Sequence, residues 1–397
     1  MATTDVLEYP FEQPAELAPP EEFAQLRAER PIQRIELPYG GQAWLVTRYA
    51  DVKQVYADPR FSRAATVGED IPRTTPARVR PGGLLAMDPP EHSRLRKLVA
   101  SAFTMKNVQR WRPRTEQVVG ELIAGMRPPA DLVDRFCLPL PVTVICELLG
   151  VPATDRHFFQ HFAQIMLSTT AATAEEIEQA REELFAYLRE HIAARRAQPE
   201  GQRSRDLLTD LVEARDNTDR LSEDELVQMG VGILVAGHET TANQLANFTF
   251  TLLDTGLWAR LVEQPELLES AVEELLRYVQ LGNGGSARIA TEDVELAGVL
   301  VRAGESVIGA LGSANRDESV FAGADRIDFD REANPHVGFG YGVHHCLGAQ
   351  LARMELRVGL GALIEAFPGL RFAESAEQVP WRAGRLVHGP RELRLRW

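Results

Sequence analysis

Apolar residues recur at three- and four-residue spacing over most of the chain, the pattern of helices that bury one face. The spacing predicts helices over residues 91–103, 115–126, 141–149, 174–195, 222–253, 265–279 and 347–366. Strand-like runs are short and confined to Gln42–Thr47, Val294–Leu296, Ser306–Gly309 and Glu392–Trp397. The fold class is therefore mainly α with small β-sheets. No Gly/Ser linker or repeat interrupts residues 1–397, so a single domain is expected.

The longest helical segment follows Leu221. Ser222 and Glu225 stand at capping-box spacing, and a helix from there to Leu253 is about 45 Å long at about 1.5 Å per residue. Its interior, GVGILVAGHETTANQLANFTFTLL, is apolar on nearly every face, which suits passage through the middle of a core. Burying His238, Glu239, Thr240 and Thr241 in that run costs free energy, so a function is expected of them. The stretch 62–83 (SRAATVGEDIPRTTPARVRPGG) has the opposite character, polar and punctuated by Pro72, Pro76, Pro81, Gly82 and Gly83. A loop of that length reads as a mobile cover over a ligand site rather than plain disorder.

Bulk properties narrow the function by exclusion. With 44% hydrophobic and 25% charged residues the composition is that of a globular protein. A formal charge of -14 argues against a nucleic-acid partner, which needs a basic footprint. Cys137, Cys146 and Cys346 are too few and scattered for a disulfide framework and suit a reducing compartment. The opening MATTDVLEYPFEQPAEL has neither a basic n-region nor an apolar h-region, and no window has the roughly 18 consecutive apolar residues of a membrane span. A cytoplasmic location without membrane insertion is expected.

The strongest chemical signal is Phe339-Gly-Tyr-Gly-Val-His-His-Cys346-Leu-Gly-Ala-Gln-Leu-Ala-Arg353. Glycines at 338, 340 and 342, then Cys346 and a helical pattern from Leu347, describe a tight loop that delivers a thiol to a helix start. Free N–H groups and the positive end of a helix dipole stabilise a thiolate there. Such a cysteine could be a nucleophile, a zinc ligand or a haem ligand. Against zinc, the side chains of His344, His345 and Cys346 diverge, and no second ligand cluster completes a tetrahedral set. A cysteine hydrolase would need a base and an oxyanion hole that nothing here favours. An inert buried cysteine leaves the glycine run unexplained.

This segment resembles the haem-binding loop of the cytochrome P450 family, and similarity of motifs extends from about residue 15 to Trp397. The resemblance implies the P450 fold, with the long central helix over the haem, and Cys346 as the iron's thiolate ligand. Phe339 would pack beneath the porphyrin, while Gly340 and Gly348 allow close backbone approach. Ala236-Gly237-His238-Glu239-Thr240-Thr241 matches the family's oxygen-binding signature. There Ala236 and Gly237 would lie against the cofactor, with Glu239 and Thr240 as catalytic proton carriers. A metalloprotease HExxH is excluded because residue 242 is Ala. Glu274 and Arg277 match the family's buried Glu–Arg brace, with Asn315-Arg316-Asp317 in the stretch that usually completes it. His92 and Arg96, one turn apart, would hold the haem propionates together with Arg288 and His344.

The implied reaction is insertion of one atom of O2 into a C–H bond or alkene of a bulky, largely hydrophobic small molecule, of polyketide or macrolide type by analogy. The cofactor implied is haem b. NAD(P)H serves indirectly, through ferredoxin and ferredoxin reductase, because no flavin or nicotinamide motif is present. Arg94, Lys97, Arg110, Arg112, Arg353 and Arg357 could dock the acidic donor. Substrate contacts are expected from the 62–83 loop, the helices around 156–195, Met229, Ile233, Val235, Leu386, Val387 and the glycine-rich link Leu281–Ala287, including Gly285. A peroxide-driven peroxygenase or a non-catalytic haem-binding module are the alternatives. The pair Glu239–Thr240 counts against both.

Overall fold

The computed structural model describes residues 6–12, 17–199, 202–217, 220–282 and 286–397. In chain order the helices are α1 (Glu22–Glu29), α2 (Tyr49–Ala57), α3 (Glu91–Ala100), α4 (Met105–Gly125), α5 (Pro139–Leu149), α6 (Arg156–Met166), α7 (Ala174–Ala197), α8 (Leu207–Asp216), α9 (Glu223–Asp254), α10 (Leu257–Glu263), α11 (Leu268–Tyr278), α12 (Leu311–Ala314) and α13 (Ala349–Ala366). The strands are β1 (Leu7–Glu8), β2 (Ile32–Leu37), β3 (Gly41–Val46), β4 (Phe61–Ser62), β5 (Ala130–Asp131), β6 (Arg288–Ala290), β7 (Val294–Leu296), β8 (Val299–Val301), β9 (Ser306–Gly309), β10 (Arg371–Phe372) and β11 (Arg394–Arg396). These elements form two compact units interleaved in sequence: Met1–Pro81, Leu85–Ser93 and Glu273–Cys346 in the first; Gly82–Leu84, Arg94–Val272 and Leu347–Trp397 in the second.

The first unit is built on a six-stranded sheet of order β1-β2-β3-β9-β6-β4. β2 and β3 are an antiparallel hairpin, and β3 runs parallel to β9, Trp44 opposite Val307. Side chains alternate across the sheet. Trp44, Val46 and Val307 join Val52 and Val55 of α2 in one core, whereas Ala43, Leu45 and Ile308 join Phe23 and Leu26 of α1 in another. Both faces are covered, so the buried part of β3, residues 43–46, reads Ala-Trp-Leu-Val with no polar alternation. The segment after β4 is less free than its composition suggests. Tyr39 and Arg73 exchange backbone hydrogen bonds of 2.9 and 3.3 Å, and Ile71 is buried.

The second unit is helical. α13 packs on α4 and α9, and α5 packs on α9. Ser222 caps α9, accepting from Glu225 N at 3.1 Å while its own N–H donates to Glu225 Oε2 at 2.7 Å. A three-stranded sheet, β10-β11-β5, edges the unit. α4 starts at Met105, well before the predicted 115, because Thr104 accepts a capping hydrogen bond from Asn107 N and Pro113 lies exposed within the helix instead of ending it. α3 correspondingly stops at Ala100, three residues short of the prediction.

Candidate active site

In the first unit, the loop before Cys346 is held by its own backbone. Cys346 N donates to Phe339 O at 2.9 Å, Gly340 N to Val337 O at 2.8 Å and His345 N to Gly342 O at 3.0 Å. Gly340 and Gly342 have φ of 76° and 71°, in the left-handed region that favours glycine. At Gly342 a Cβ would also lie 2.2 Å from Tyr56 O. Cys346 is exposed, whereas Cys137 and Cys146 are buried, and burial pushes the Cys146 thiol up to about 12. Of the three cysteines, only Cys346 is presented for chemistry.

Close to that loop the same unit gathers arginine and histidine side chains. His344 Nδ1 lies 3.2 Å from Arg288 Nη2 and its Nε2 lies 2.8 Å from Met87 O. The His92 ring centroid is 4.5 Å from that of His344. Burial, then the Arg288 charge, push His344 down to about 4. Arg288, only 3% exposed, donates to Phe61 O, and its Nε has no partner among the described residues. Sequence reasoning missed Arg63. This buried residue donates to Leu85 O and Ala287 O, and burial and then Arg288 lower its pKa to about 10. It sits in an irregular stretch where no periodicity marks a buried position. Asp88 is the one nearby carboxylate that bears on these arginines among the described residues; its oxygens accept from Ser62 Oγ and Arg63 N. Two buried guanidiniums and two imidazoles against one carboxylate, with an orphaned N–H, fit a group carrying two carboxylates. Arg96, one turn beyond His92 along α3 and half-buried, falls in the second unit.

Glu274 and Arg277 form a separate buried network in the first unit. Arg277 Nε and Nη2 donate to Glu274 at 2.8 and 2.7 Å. The remaining Arg277 donors reach the carbonyls of Asn315, Ala324 and Arg326. Glu274 also accepts from Asp328 N, Asn334 and Arg331. Asn315 thus contributes by its backbone, and the further side-chain cation is Arg331, which sequence reasoning did not single out.

In the second unit, α9 is buried along most of its length, but Gly232, Ala236 and Thr240, spaced by four, form an exposed to half-exposed stripe. Thr240 Oγ1 donates to Ala236 O at 3.0 Å. Gly237 has a packing reason of its own, since a Cβ there would lie 2.5 Å from Ile145 of α5. Glu239 is 3% exposed; Oε2 accepts from Asn243 Nδ2 at 3.2 Å, and Oε1 has no hydrogen-bond partner among the described residues. Arg382 Nη1 stands 3.8 Å from Glu239 Oε2. His238 is fully buried, and burial lowers its pKa, so it is neutral. Met229, Ile233 and Val235 are buried, Leu386 and Val387 half-buried, and Gly348 immediately precedes α13. Gly285 lies outside the described residues.

Comparison with known proteins adds an independent line. The family model described as Cytochrome P450 matches residues 142–255 and 259–378. The chain is 52% identical to nocardicin C N-oxygenase of Nocardia uniformis subsp. tsuyamanensis and 47% identical to mycinamicin IV hydroxylase/epoxidase of Micromonospora griseorubida, each over 100% of both chains. Among solved structures, it superposes on the LnmA cytochrome P450 hydroxylase of the leinamycin pathway of Streptomyces atroolivaceus S-140 with a TM-score of 0.90. That match has 51% identity and covers 99% of this chain and 100% of that one. Among the described residues, no helix is long and apolar enough to cross a membrane.

Proposed function

The chain belongs to the cytochrome P450 family, and on that premise we propose that it is a monooxygenase acting as one catalytic domain on a bulky, largely apolar secondary metabolite, with Cys346 as the haem's thiolate ligand. The observation that carries this reading is the exposed Cys346 at the end of a backbone-locked glycine loop, in the unit that also holds an under-neutralised cluster of Arg63, Arg288, His92 and His344. Those four side chains, with Arg96, would hold the propionates of haem b, and Phe339, Gly340 and Gly348 would line the ring. When bound, the haem supplies the activation of O2 and the oxidation of the C–H bond or alkene.

The chain's own residues supply the protons and the shape. Glu239 holds a proton-exchanging carboxyl with one oxygen unclaimed, and Thr240 can accept at its hydroxyl oxygen while donating to Ala236. Ala236 and Gly237 keep the helix narrow there. Met229, Ile233, Val235, Leu386 and Val387 supply apolar contacts to the substrate. The similarity to nocardicin C N-oxygenase and mycinamicin IV hydroxylase/epoxidase supports a secondary-metabolite substrate.

Electrons come from NAD(P)H through ferredoxin reductase and ferredoxin. Of the cations considered for docking the donor, Arg94 is engaged by Glu225, Arg112 by Glu116 and Arg357 by Glu269, whereas Lys97 and Arg110 are exposed. The test is spectroscopic and then catalytic. The reduced protein should give a red-shifted carbon monoxide difference spectrum that is lost in Cys346→Ala. Ferredoxin, its reductase and NAD(P)H should then drive substrate-dependent O2 uptake. A carbon monoxide spectrum unchanged by Cys346→Ala, or turnover that peroxide supports and ferredoxin, reductase and NAD(P)H do not, overturns the proposal.

A further inference from the structure

We infer that Arg382 and Arg385 form a receptor for a carboxylate on the substrate, so that this enzyme's ligand is an apolar acid. In calling the ligand a substrate the inference rests on the monooxygenase reading; the binding site itself lies wholly within the second unit.

The segment 380–391 is a narrow hairpin. Trp381 pairs with Pro390, Arg382 N donates to Gly389 O at 3.1 Å, and Arg391 N donates to Pro380 O at 2.7 Å. Its tip is fastened to the connection between α6 and α7. Leu386 N donates to Leu167 O and Thr169 N to Gly384 O, both at 2.8 Å, and Ser168 pairs with Arg385. Gly384, at φ 67°, is pressed so close that a Cβ would lie 2.5 Å from Thr170 Oγ1. The two arginines are therefore set on a fixed frame, not on a free tail.

Their hydrogen bonding is incomplete. The Arg382 side chain is 16% exposed, and its one oppositely charged partner among the described residues is Glu239 at 3.8 Å, beyond hydrogen-bond range. No acceptor among those residues takes any of its five side-chain N–H donors. Arg385 spends one nitrogen on Gln164 O, and burial, then the Arg382 charge, lower its pKa while Glu239 opposes them. Two cations thus share one carboxylate that is already bonded to Asn243, and burial lowers the pKa of His388 on the same hairpin. The surplus is one positive charge with unused donors in a fork that matches a planar carboxylate. Leu386 and Val387 on the same tip give the ligand's apolar part a surface. A monoanion neutralises the site; a phosphate dianion would overcharge it.

The test is isothermal titration of the haem-loaded enzyme with 4-phenylbutanoate and with 4-phenylbutanamide, which differ only in the charged head. The acid should bind about tenfold more tightly, a difference typical of a charge-assisted pair. Arg385→Gln should erase that preference by weakening the acid far more than the amide, and Arg382→Gln should act alike. Because Arg382→Gln also removes the counterion of Glu239, thermal melting accompanies both variants. No heat with the acid at millimolar concentration, equal affinity for acid and amide, or a preference that survives in Arg385→Gln overturns the inference. The carbon monoxide spectrum is recorded on the same samples. Loss of its thiolate signature would sink the monooxygenase reading and leave the acid preference to stand or fall alone.

Discussion

Glu274 and Glu239 are both buried and both face arginine, yet their surroundings differ in kind. Glu274 accepts from Arg277 by two parallel hydrogen bonds and also from Arg331, Asn334 and the Asp328 backbone, and Arg277 spends its other donors on three carbonyls. Glu239 has one oxygen with no partner among the described residues, and its arginine stands off at 3.8 Å. A carboxylate whose lone pairs are all claimed is fixed and ionised. One with an unclaimed oxygen can take up a proton and give it away. The first arrangement braces a fold; the second keeps a group available.

The sharpest way to break that contrast is to strand each charge. Arg277→Leu leaves Glu274 buried against a reduced set of donors, and stability should fall by about 3–5 kcal/mol, measured by denaturant unfolding of the haem-loaded protein. A loss under about 1 kcal/mol would mean the network is not a brace. Glu239→Gln should do the reverse. Product formation should fall about 100-fold, as expected for loss of a proton carrier, while stability stays within about 1 kcal/mol because Arg382 keeps access to water. Equal stability losses in the two variants would erase the distinction.

Acid titration sharpens the same point. Burial raises the Glu274 pKa, but the hydrogen bonds from Arg277 and Arg331 outweigh it and the net shift is downward. The native state therefore binds fewer protons at this site than the unfolded chain, so the contribution is present above the unfolded value of about 4.3 and is lost as pH falls through the lower folded pKa. The stability gap between wild type and Glu274→Gln should be constant near neutrality and should close only below about pH 4.3. A gap that narrows between pH 8 and 6 would point to another group.

The chemistry was more legible in the sequence than the scaffold that holds it. The Cys346 loop and the Glu239–Thr240 run are contiguous, and each residue type there answers a local demand: positive φ at Gly340 and Gly342, or a polar group in an apolar helix. α9 announced itself by its capping box and its length. Arg63, Arg331 and Arg382 were invisible for one shared reason. Each meets its partner across a long stretch of chain, Arg331 with Glu274 over 57 residues and Arg63 with the Ala287 carbonyl over 224, and nothing in its own neighbourhood marks it as buried. The early start of α4 was hidden by Pro113, which reads as a breaker until its exposed position is known.

Thr240 tests the smallest difference between a group that holds structure and one that works. Its hydroxyl donates to Ala236 O, as many helical threonines do, so on this bond alone it is a minor packing feature. Yet it sits on the exposed to half-exposed stripe of α9 and its oxygen keeps two lone pairs for accepting. Thr240→Ala removes the hydroxyl and substitutes a better helix former, so Tm should hold or rise slightly. If the hydroxyl positions a proton, product per NAD(P)H consumed should drop roughly fivefold, the effect of about 1 kcal/mol in the partition between two fates. The missing electrons should appear as peroxide, and Thr240→Ser should restore much of the coupling. Unchanged coupling in Thr240→Ala would reduce the residue to its bond with Ala236 and leave Glu239 to carry the proton by itself.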